Sequence, residues 1–494
     1  MKNYNYPRVD IKTIAKIHNT AAPEAEDTTV LFMPILADKG PMNEIVKIHS
    51  LEEFITIFGE MDGIQKRVGK LTAFNIMNWL TAGGTLYVVR LGNEAGSKQR
   101  EVTIGYPKND ETATEFYTIT GKDLGAYINA YKFDLTIDGK QGKISVKSSN
   151  GRILERVYFV VPTENDEEVP VASEYIKSIT KVAAKPNPDD VAGTDGLSEK
   201  PEFTDVLKVF WNAKDKTTIE GIKDAKHFLE NPLPTPIDLL MDAGYPVSVK
   251  AAMANFVLSN NADEPGIRPD IRAYIDLYDN EHEKAEIATK LPEGLPKDEN
   301  IFYFWQSFTI SDAVFADGKD MTVGPSYFLS KIVPANDIAN GIQFPAAGTR
   351  RAELTDVVKM SENPLPDTKE TLFTNHINYA EKDSRGYYFM SQRTSSENST
   401  ALSFINNARV TCRIVHEINA LARDYLFEFN DATTLQNMRS VLNKYITNWI
   451  ANRTLSYGEV DVAKNALSDE AVDVTLNIKF TGTIEVISIK LVIE

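Results

Sequence analysis

The residues best suited to covalent or metal chemistry in this chain are one cysteine, Cys412, and six histidines: His18, His49, His227, His282, His376 and His416. A thiol and imidazoles could serve nucleophilic catalysis or hold a metal. A single cysteine excludes an internal disulfide framework and a multi-cysteine metal site, and the histidines are scattered without ligand spacing. Cys412 falls in an apolar helical stripe, which predicts a buried core thiol. Gly83-Gly84 precedes a strand and lacks the Lys-Ser/Thr of a phosphate loop, and Asp138-Gly139-Lys140 reads as a hairpin turn. There is no Gly-x-Ser-x-Gly elbow and no His-Glu-x-x-His. With 70 acidic residues, carboxylate pairs arise by chance. The reading is of a chain that is no enzyme and carries no cofactor. The alternative in another class is an α/β hydrolase-like enzyme with an appended β-module, which would form small closed oligomers.

The elements that must position these residues belong to a large chain. Its 494 residues and 55.1 kDa leave room for roughly three domains. A formal net charge of −17 argues against nucleic acid as a partner, since a polyphosphate rewards basic faces. It also means that self-association has to overcome repulsion through specific contacts. No apolar run approaches the roughly 18 residues that span a bilayer, and Met1-Lys2-Asn3-Tyr4 begins no apolar signal core, so no membrane partner and a cytoplasmic site of synthesis are expected.

Both ends alternate like strands. Val472, Val474, Leu476, Ile478 and Phe480 occupy every second position, the period of a strand with one buried face. Thr481-Gly482-Thr483 breaks the run as a turn, and Ile484 and Val486 resume it, predicting a 472–486 hairpin. The parity then slips to Ile487, Ile489, Leu491 and Ile493, which marks a bulge or a separate segment. Such an apolar edge must find a partner in this chain or another. Near the other end Val9, Ile11 and Ile14 form a short strand, followed by a polar tether before the apolar run that begins at Val30.

Between the ends, 30–91 reads as a β-α-β unit, with Ser50 capping a short helix, Glu53 completing a capping box, and one helix carrying Val68, Leu71, Phe74, Ile76 and Trp79. Short alternating segments from 101 to 161 form a small all-β module. The Pro- and acid-rich 163–202 stretch reads as an exposed linker or surface loop. Strands at 236–241, 271–277, 301–305 and 386–390 alternate with helices at 247–258 and 326–336, implying a largely parallel sheet covered on both faces. Two long amphipathic helices follow: Ile405 to Tyr425, and Leu435 to Trp449 opening at a Thr433-x-x-Gln436 capping box.

Several blocks resemble the tail sheath proteins of contractile-tailed phages, the sheath family of contractile injection systems. They are Gly40-Pro41-Met42-Asn43; Ser50 to Phe54 through Phe58-Gly59; Gly83-Gly84-Thr85-Leu86-Tyr87-Val88-Val89-Arg90; Phe344-Pro345-Ala346-Ala347-Gly348; Ile377-Asn378 with Gly386 and Gln392-Arg393-Thr394; Ile405-Asn406-Asn407-Ala408-Arg409 through Phe427-Glu428-Phe429-Asn430; and the Ile484 to Glu494 tail. The resemblance implies an α/β multidomain subunit: an arm and linker (1–28), an N-terminal α/β part (29–100), a small β-sandwich or barrel insertion (101–162), the linker (163–202), a subtilisin-like α/β domain without a catalytic triad (203–395), a C-terminal sheath domain with helices and hairpin (396–486), and a C-terminal arm (487–494).

The same resemblance implies a structural virion protein assembled in the bacterial host cytoplasm, polymerising as hexameric rings into a six-fold helical cylinder around an inner tail tube. Its contraction would drive that tube through the bacterial envelope for genome delivery, with baseplate and tail terminator proteins as further partners. The sheath of a tailocin or other injection system is the close alternative. Intersubunit arms are expected at Val9, Ile11, Ile14, Ile487, Ile489, Leu491 and Ile493, exchanging strands with an acceptor hairpin of Val474, Leu476, Ile478, Phe480, Ile484 and Val486. Tube contact is placed at Arg439, Lys444 and Arg453, a basic patch on the second long helix.

Overall fold

The computed structural model describes residues 29–483 except 95–96, 108–113, 126–127, 129–130, 149–150, 187–193, 196, 198–200, 213–218, 220, 230–235, 262–270, 279–290 and 317. The expected arm residues Val9, Ile11, Ile14, Ile487, Ile489, Leu491 and Ile493, and Ile484 and Val486 of the expected hairpin, lie outside the described residues. The chain divides into two compact units, one of residues 1–32, 74–86 and 229–494, the other of residues 33–73 and 87–228. The chain passes between the units repeatedly, and 203–228 falls in the same unit as the β-module.

In the larger unit, short apolar runs form a parallel ladder. Leu31 of the Val30–Ile35 strand pairs with Leu239 of Leu239–Met241, which pairs with Arg272–Asp276, which pairs with Ile301–Phe304. All residues of the last three strands are buried, as continuous apolar strands covered on both faces should be. Helices Val247–Asn261, Ser326–Asn340 and Ile405–Arg423 alternate with or follow these strands. The strand expected at 386–390 is Tyr387–Phe389, and it pairs antiparallel with Ala380–Lys382 outside the parallel ladder.

The second long helix is Ala432–Ala451, and its cap is Asp431, whose side chain accepts from the Thr434 N–H. Asp431 displaces the expected Thr433 because a carboxylate two residues upstream reaches the same free amides. The Val472–Phe480 strand does exist, but its partner is the preceding strand Leu455–Lys464, in antiparallel register with Leu476 opposite Val460 and Val474 opposite Val462. The expected pairing across Thr481-Gly482-Thr483 involves Ile484 and Val486, which lie outside the described residues, while Val460 and Val462 are buried on the same sheet. Gly458 permits this packing: a Cβ there would lie 2.2 Å from Ile446 of the helix.

In the smaller unit, helix Leu51–Phe58 is capped by Ser50 as the sequence implies, and helix Met61–Val68 follows with no side-chain cap hydrogen bond from Glu60. The Ser50 Oγ accepts from the Glu53 N–H, and the Glu53 carboxylate returns a bond to the His49 N–H. The helix expected to run from Val68 to Trp79 is broken at Gly69, whose φ of +85 ends one helix before Lys70–Thr81 begins.

The β-module pairs Ser97–Pro107, Thr114–Leu124 and Ile176–Val182 in one sheet and Lys132–Asp138, Gln141–Lys147 and Ile153–Val160 in another. Their inner faces share a core of Tyr117, Ile119, Ile144, Val146, Val157, Phe159, Ile176 and Ile179. The 163–202 stretch is therefore no simple linker. Ile176–Val182 lies between Thr114–Leu124 and Glu168–Pro170, because its β-branched residues fill the module core despite acidic flanks.

Arg90, fully buried, organises the smaller unit's loops. Its Nε donates to the Ala37 carbonyl at 2.7 Å, Nη1 to Gly40 at 2.6 Å and Nη2 to Leu124 at 2.7 Å. Burial lowers its pKa to about 10. Gly125 sits against this fork with φ +111, where a Cβ would come within 2.6 Å of the Asp38 carbonyl oxygen. Replacing Arg90→Met strands three buried carbonyls, so chemical denaturation should show a loss of about 3 kcal/mol or more. A loss under about 1 kcal/mol would show that water satisfies those groups instead.

Candidate functional site: a buried relay and an open hairpin

The Ile405–Arg423 helix carries apolar residues at Ile405, Ala408, Cys412, Val415, Ile418 and Ala422, and between them it buries Asn406, Asn407, Arg409, Thr411, Arg413 and His416. Turns of a helix repeat every 3.6 residues, so Cys412 and His416, four apart, share a face. That face meets Asp238, which directly precedes the Leu239–Met241 strand. The Asp238 Oδ1 lies 3.4 Å from the His416 Nδ1, and the His416 Nε2 lies 3.8 Å from the Cys412 Sγ. Asp238 also accepts from the Val30 N–H at 2.9 Å and faces the Arg413 Nη2 at 3.4 Å.

An acid, an imidazole and a thiol in this order have the arrangement of a nucleophilic triad, in which the carboxylate orients the imidazole and stabilises its charged form; we term the three the relay. The three ligand atoms also lie within 4.8 Å of one another, the composition of a metal centre. The geometry favours the relay. His416 presents opposite ring nitrogens to its two neighbours, so an ion on Nε2 and the thiol would leave Asp238 on the far side of the ring. The relay is sealed, with Cys412 at 1% exposure and His416 at 7%, which leaves no room for a substrate carbonyl at the sulfur. Its effect is therefore electrostatic. Burial opposes ionisation of Asp238, but Arg413 and then His416 outweigh it and hold the carboxyl at about 2. Burial likewise opposes protonation of His416, but Cys412 and Asp238 push it up to about 10.

Two further buried clusters join helices to the ladder. Arg409 forms an ion pair with Asp337 of the Ser326–Asn340 helix, and both bond to Thr29. Lys250 pairs with Asp242 at 2.8 Å and donates to the Asp276 carbonyl at 2.7 Å, while Asp276 accepts from the backbone and hydroxyl of Ser326. Burial raises both carboxyls, Asp276 well above the usual range with Asp242 beside it. These groups occupy the strand ends where an α/β enzyme carries its chemistry, yet all four are at most 1% exposed. They lock the strand ends to the helix starts.

The exposed chemistry lies farther along the chain. The two-stranded sheet of Leu455–Lys464 and Val472–Phe480 packs one face on Met438, Leu442, Ile446 and Trp449. Val474, Leu476 and Ile478 of the expected acceptor are half-buried on that face, and Phe480 is buried. Each strand has one edge without a partner among the described residues, a template for strand addition.

Between the long helices, Phe427 and Phe429 are 89% and 83% exposed. Phe427 is held at φ +72, a rare conformation for a bulky residue that points to a purpose other than packing within the chain. They flank an open groove of about 370 Å³ lined by Leu421, Tyr425, Glu428 and Val441 among others. The three residues of the expected basic patch differ in their surroundings. Arg439 is engaged by Asp461 at 2.8 Å and the Val462 carbonyl at 2.7 Å, tying helix to hairpin. Lys444 is exposed on the helix, and Arg453 is exposed beyond its end.

Sequence reasoning missed the relay because Asp238 is remote in the chain. Only the four-residue spacing of Cys412 and His416 could have signalled it.

The sequence matches no known family model and no curated protein. Solved structures with the same fold are sheaths. A sheath tail protein from Listeria innocua is 14% identical, with a TM-score of 0.59 over 93% of this chain and 94% of that one. A sheath tail protein from Desulfitobacterium hafniense is 12% identical, with a TM-score of 0.53 over 94% and 99%. The helical sheath of the anti-feeding prophage in its contracted state is 12% identical, with a TM-score of 0.53 over 99% of both chains.

The relay makes stability depend on pH in a defined direction. His416 is raised from 6.5 to about 10, so its contribution is complete below about 6.5 and disappears as pH rises through 10. Asp238 is lowered from 3.8 to about 2, so its contribution is complete above about 3.8 and disappears as pH falls through 2. Denaturation across pH should show a decline of a few kcal/mol between pH 7 and 10 that His416→Gln abolishes. An equal decline in that variant would assign it to other groups.

Proposed function

We propose that this chain, which has the fold of the contractile-tail sheath proteins, is the structural subunit of such a sheath, polymerising head to tail into a helical cylinder. The observation that supports this reading is the C-terminal hairpin, a two-stranded sheet seated on a helix with, among the described residues, an unpaired edge on either side. Strand addition at such edges links one copy to the next. A heterologous contact of this kind generates an open helix in place of a closed ring of two.

The segments that would add are the arms at either end of the chain: Val9, Ile11 and Ile14 of one copy, and Ile487, Ile489, Leu491 and Ile493 of another. Each cross-strand pair contributes roughly 0.2–1 kcal/mol, so one arm supplies a few kcal/mol per junction. Short strands on tethers keep their pairing while the bodies they join rotate. Contraction then repacks larger subunit faces, with the exposed Phe427 and Phe429 as the apolar part of a contact formed between copies. The extended cylinder is a kinetic trap, released when contacts to an inner tube or baseplate fail.

The anti-feeding prophage neighbour is a helical sheath in the contracted state, and a second, 10% identical over the full length of this chain at a TM-score of 0.52, belongs to the sheath complex of an extracellular contractile injection system. Sheaths of phage tails, tailocins and other injection systems share this logic. The inner tube, baseplate and terminator are the partners it requires, and genome delivery through a bacterial envelope is its outcome in a phage. Because Arg439 is committed to the hairpin, Lys444 and Arg453 remain the cations offered to the tube.

Sedimentation separates the parts of this reading. The full chain should form large polymers. Deleting 487–494 should leave a monomer with unchanged thermal unfolding, and normal polymers from that deletion would rule out the C-terminal arm. The Phe427→Ser, Phe429→Ser double variant should unfold within about 0.5 kcal/mol of the parent yet polymerise at higher concentration. Unchanged assembly would remove the phenylalanines from the interface.

A further inference from the structure

Three segments far apart in sequence meet at one small cavity in the larger unit: the Phe344-Pro345-Ala346 turn, the strip containing Gln392, and the first turn of the Ile405–Arg423 helix. The cavity leaves about 10 Å³ for the centre of a water-sized molecule, the space that one internal water needs. Phe304 and Leu329 close its apolar side, and Gln392, Asn406 and Arg409 supply the polar side, with the Tyr274 hydroxyl beside the Arg409 guanidinium.

Each of these three polar side chains is more than nine-tenths buried, and each keeps one atom without a partner among the described residues: Gln392 Oε1, Asn406 Oδ1 and Arg409 Nε. The remaining atoms of the same groups are occupied. The Gln392 Nε2 donates to the Thr483 Oγ1 at 2.7 Å, and the Asn406 Nδ2 donates to the Gln343 carbonyl at 3.0 Å and to the Asn407 Oδ1 at 3.1 Å. Both Arg409 Nη atoms bond to Asp337, and Nη2 also bonds to Thr29. The Gln343 carbonyl can only accept and so fixes Asn406 Oδ1 as the acceptor, whereas the Thr483 hydroxyl can accept from the Gln392 amide nitrogen, as here, or donate to its oxygen.

We infer that this cavity binds a single internal water, which donates to Gln392 Oε1 and Asn406 Oδ1 and accepts from the Arg409 Nε–H. Two acceptors and one donor match the hydrogen-bonding capacity of water. A cation is disfavoured by the guanidinium, and an anion by the two amide oxygens. Leaving three such atoms unsatisfied in a protein interior is costly and rare.

The site also has a structural consequence. Gln392 joins the water to Thr483, the last residue described before the C-terminal segment, so the bound water fixes the root from which that segment leaves. The water site stands independently of the proposed assembly.

The test is a structure of the full chain, by crystallography or cryo-electron microscopy, at a resolution that shows ordered water. A density peak within about 2.7–3.2 Å of Gln392 Oε1, Asn406 Oδ1 and Arg409 Nε is expected. The inference is overturned by side chains rotated to satisfy one another, or by a protein atom from the C-terminal segment filling the space. Asn406→Leu, which keeps the volume but removes the acceptor, should lose the peak and raise hydrogen exchange at the Thr483 amide at least tenfold. Gln392→Glu, whose second oxygen can accept from the Thr483 hydroxyl, should retain both peak and protection. Equal protection in the two variants would separate the arm root from the water and overturn the link.

Discussion

A helix that buries Arg409, Arg413 and His416 has few ways to sit against a sheet, because each charge removed from water needs a partner already in place. Here the partners come from three other elements. Asp337 lies on a neighbouring helix, Asp238 precedes a strand of the parallel ladder, and the Arg272 Nε reaches the helix backbone itself at the Ala408 carbonyl, 3.2 Å away. Shifting the helix by one turn would break every pair at once. Buried ion pairs contribute modestly to net stability, but their geometry excludes alternatives, and an excluded register is what a subunit with defined faces requires.

The fixed helix sets the position of the next helix and of the hairpin. Val410, Ile414 and Ile418 share one apolar cluster with Met438, Leu442, Ile446 and Trp449 of the next helix and with Leu455, Val460 and Val462 of the hairpin. The hairpin edges, unpaired among the described residues, are thereby held by packing that leads back to the buried charges. A rigid body that presents exposed strand edges is a good unit for an assembly whose copies rotate, since deformation is confined to the tethers between bodies. The fold likeness over nearly the whole chain, at 14% identity or less, fits a constraint on shape and patterning more than on residue identity.

Much of this was legible in the residues. The apolar runs around Leu239, Ala273 and Ile301 announced the parallel ladder, Ser50 with Glu53 announced a helix start, and the two amphipathic stripes announced the long helices. Illegibility arose where the deciding partner was distant. Glu459-Val460-Asp461-Val462 alternates as a half-buried strand does, but nothing local tells Val472–Phe480 to pair backward with it. Ile176–Val182 was hidden by acidic and proline-rich flanks, and only the facing core of Ile119 and Ile144 makes it a strand. The relay needed Asp238 and His416 brought together across more than a third of the chain. Exposure was unreadable for a different reason: Phe427 and Phe429 look like core residues until the loop places them in solvent.

The central claim is that the hairpin edges are completed by other copies of this chain, and a cryo-electron microscopy reconstruction of the polymer tests it most directly. The account predicts a helical cylinder in which both edges of the Leu455–Lys464 and Val472–Phe480 sheet carry strands from neighbouring subunits. A polymer whose hairpin edges are bare, or closed by its own subunit's ends, would contradict it.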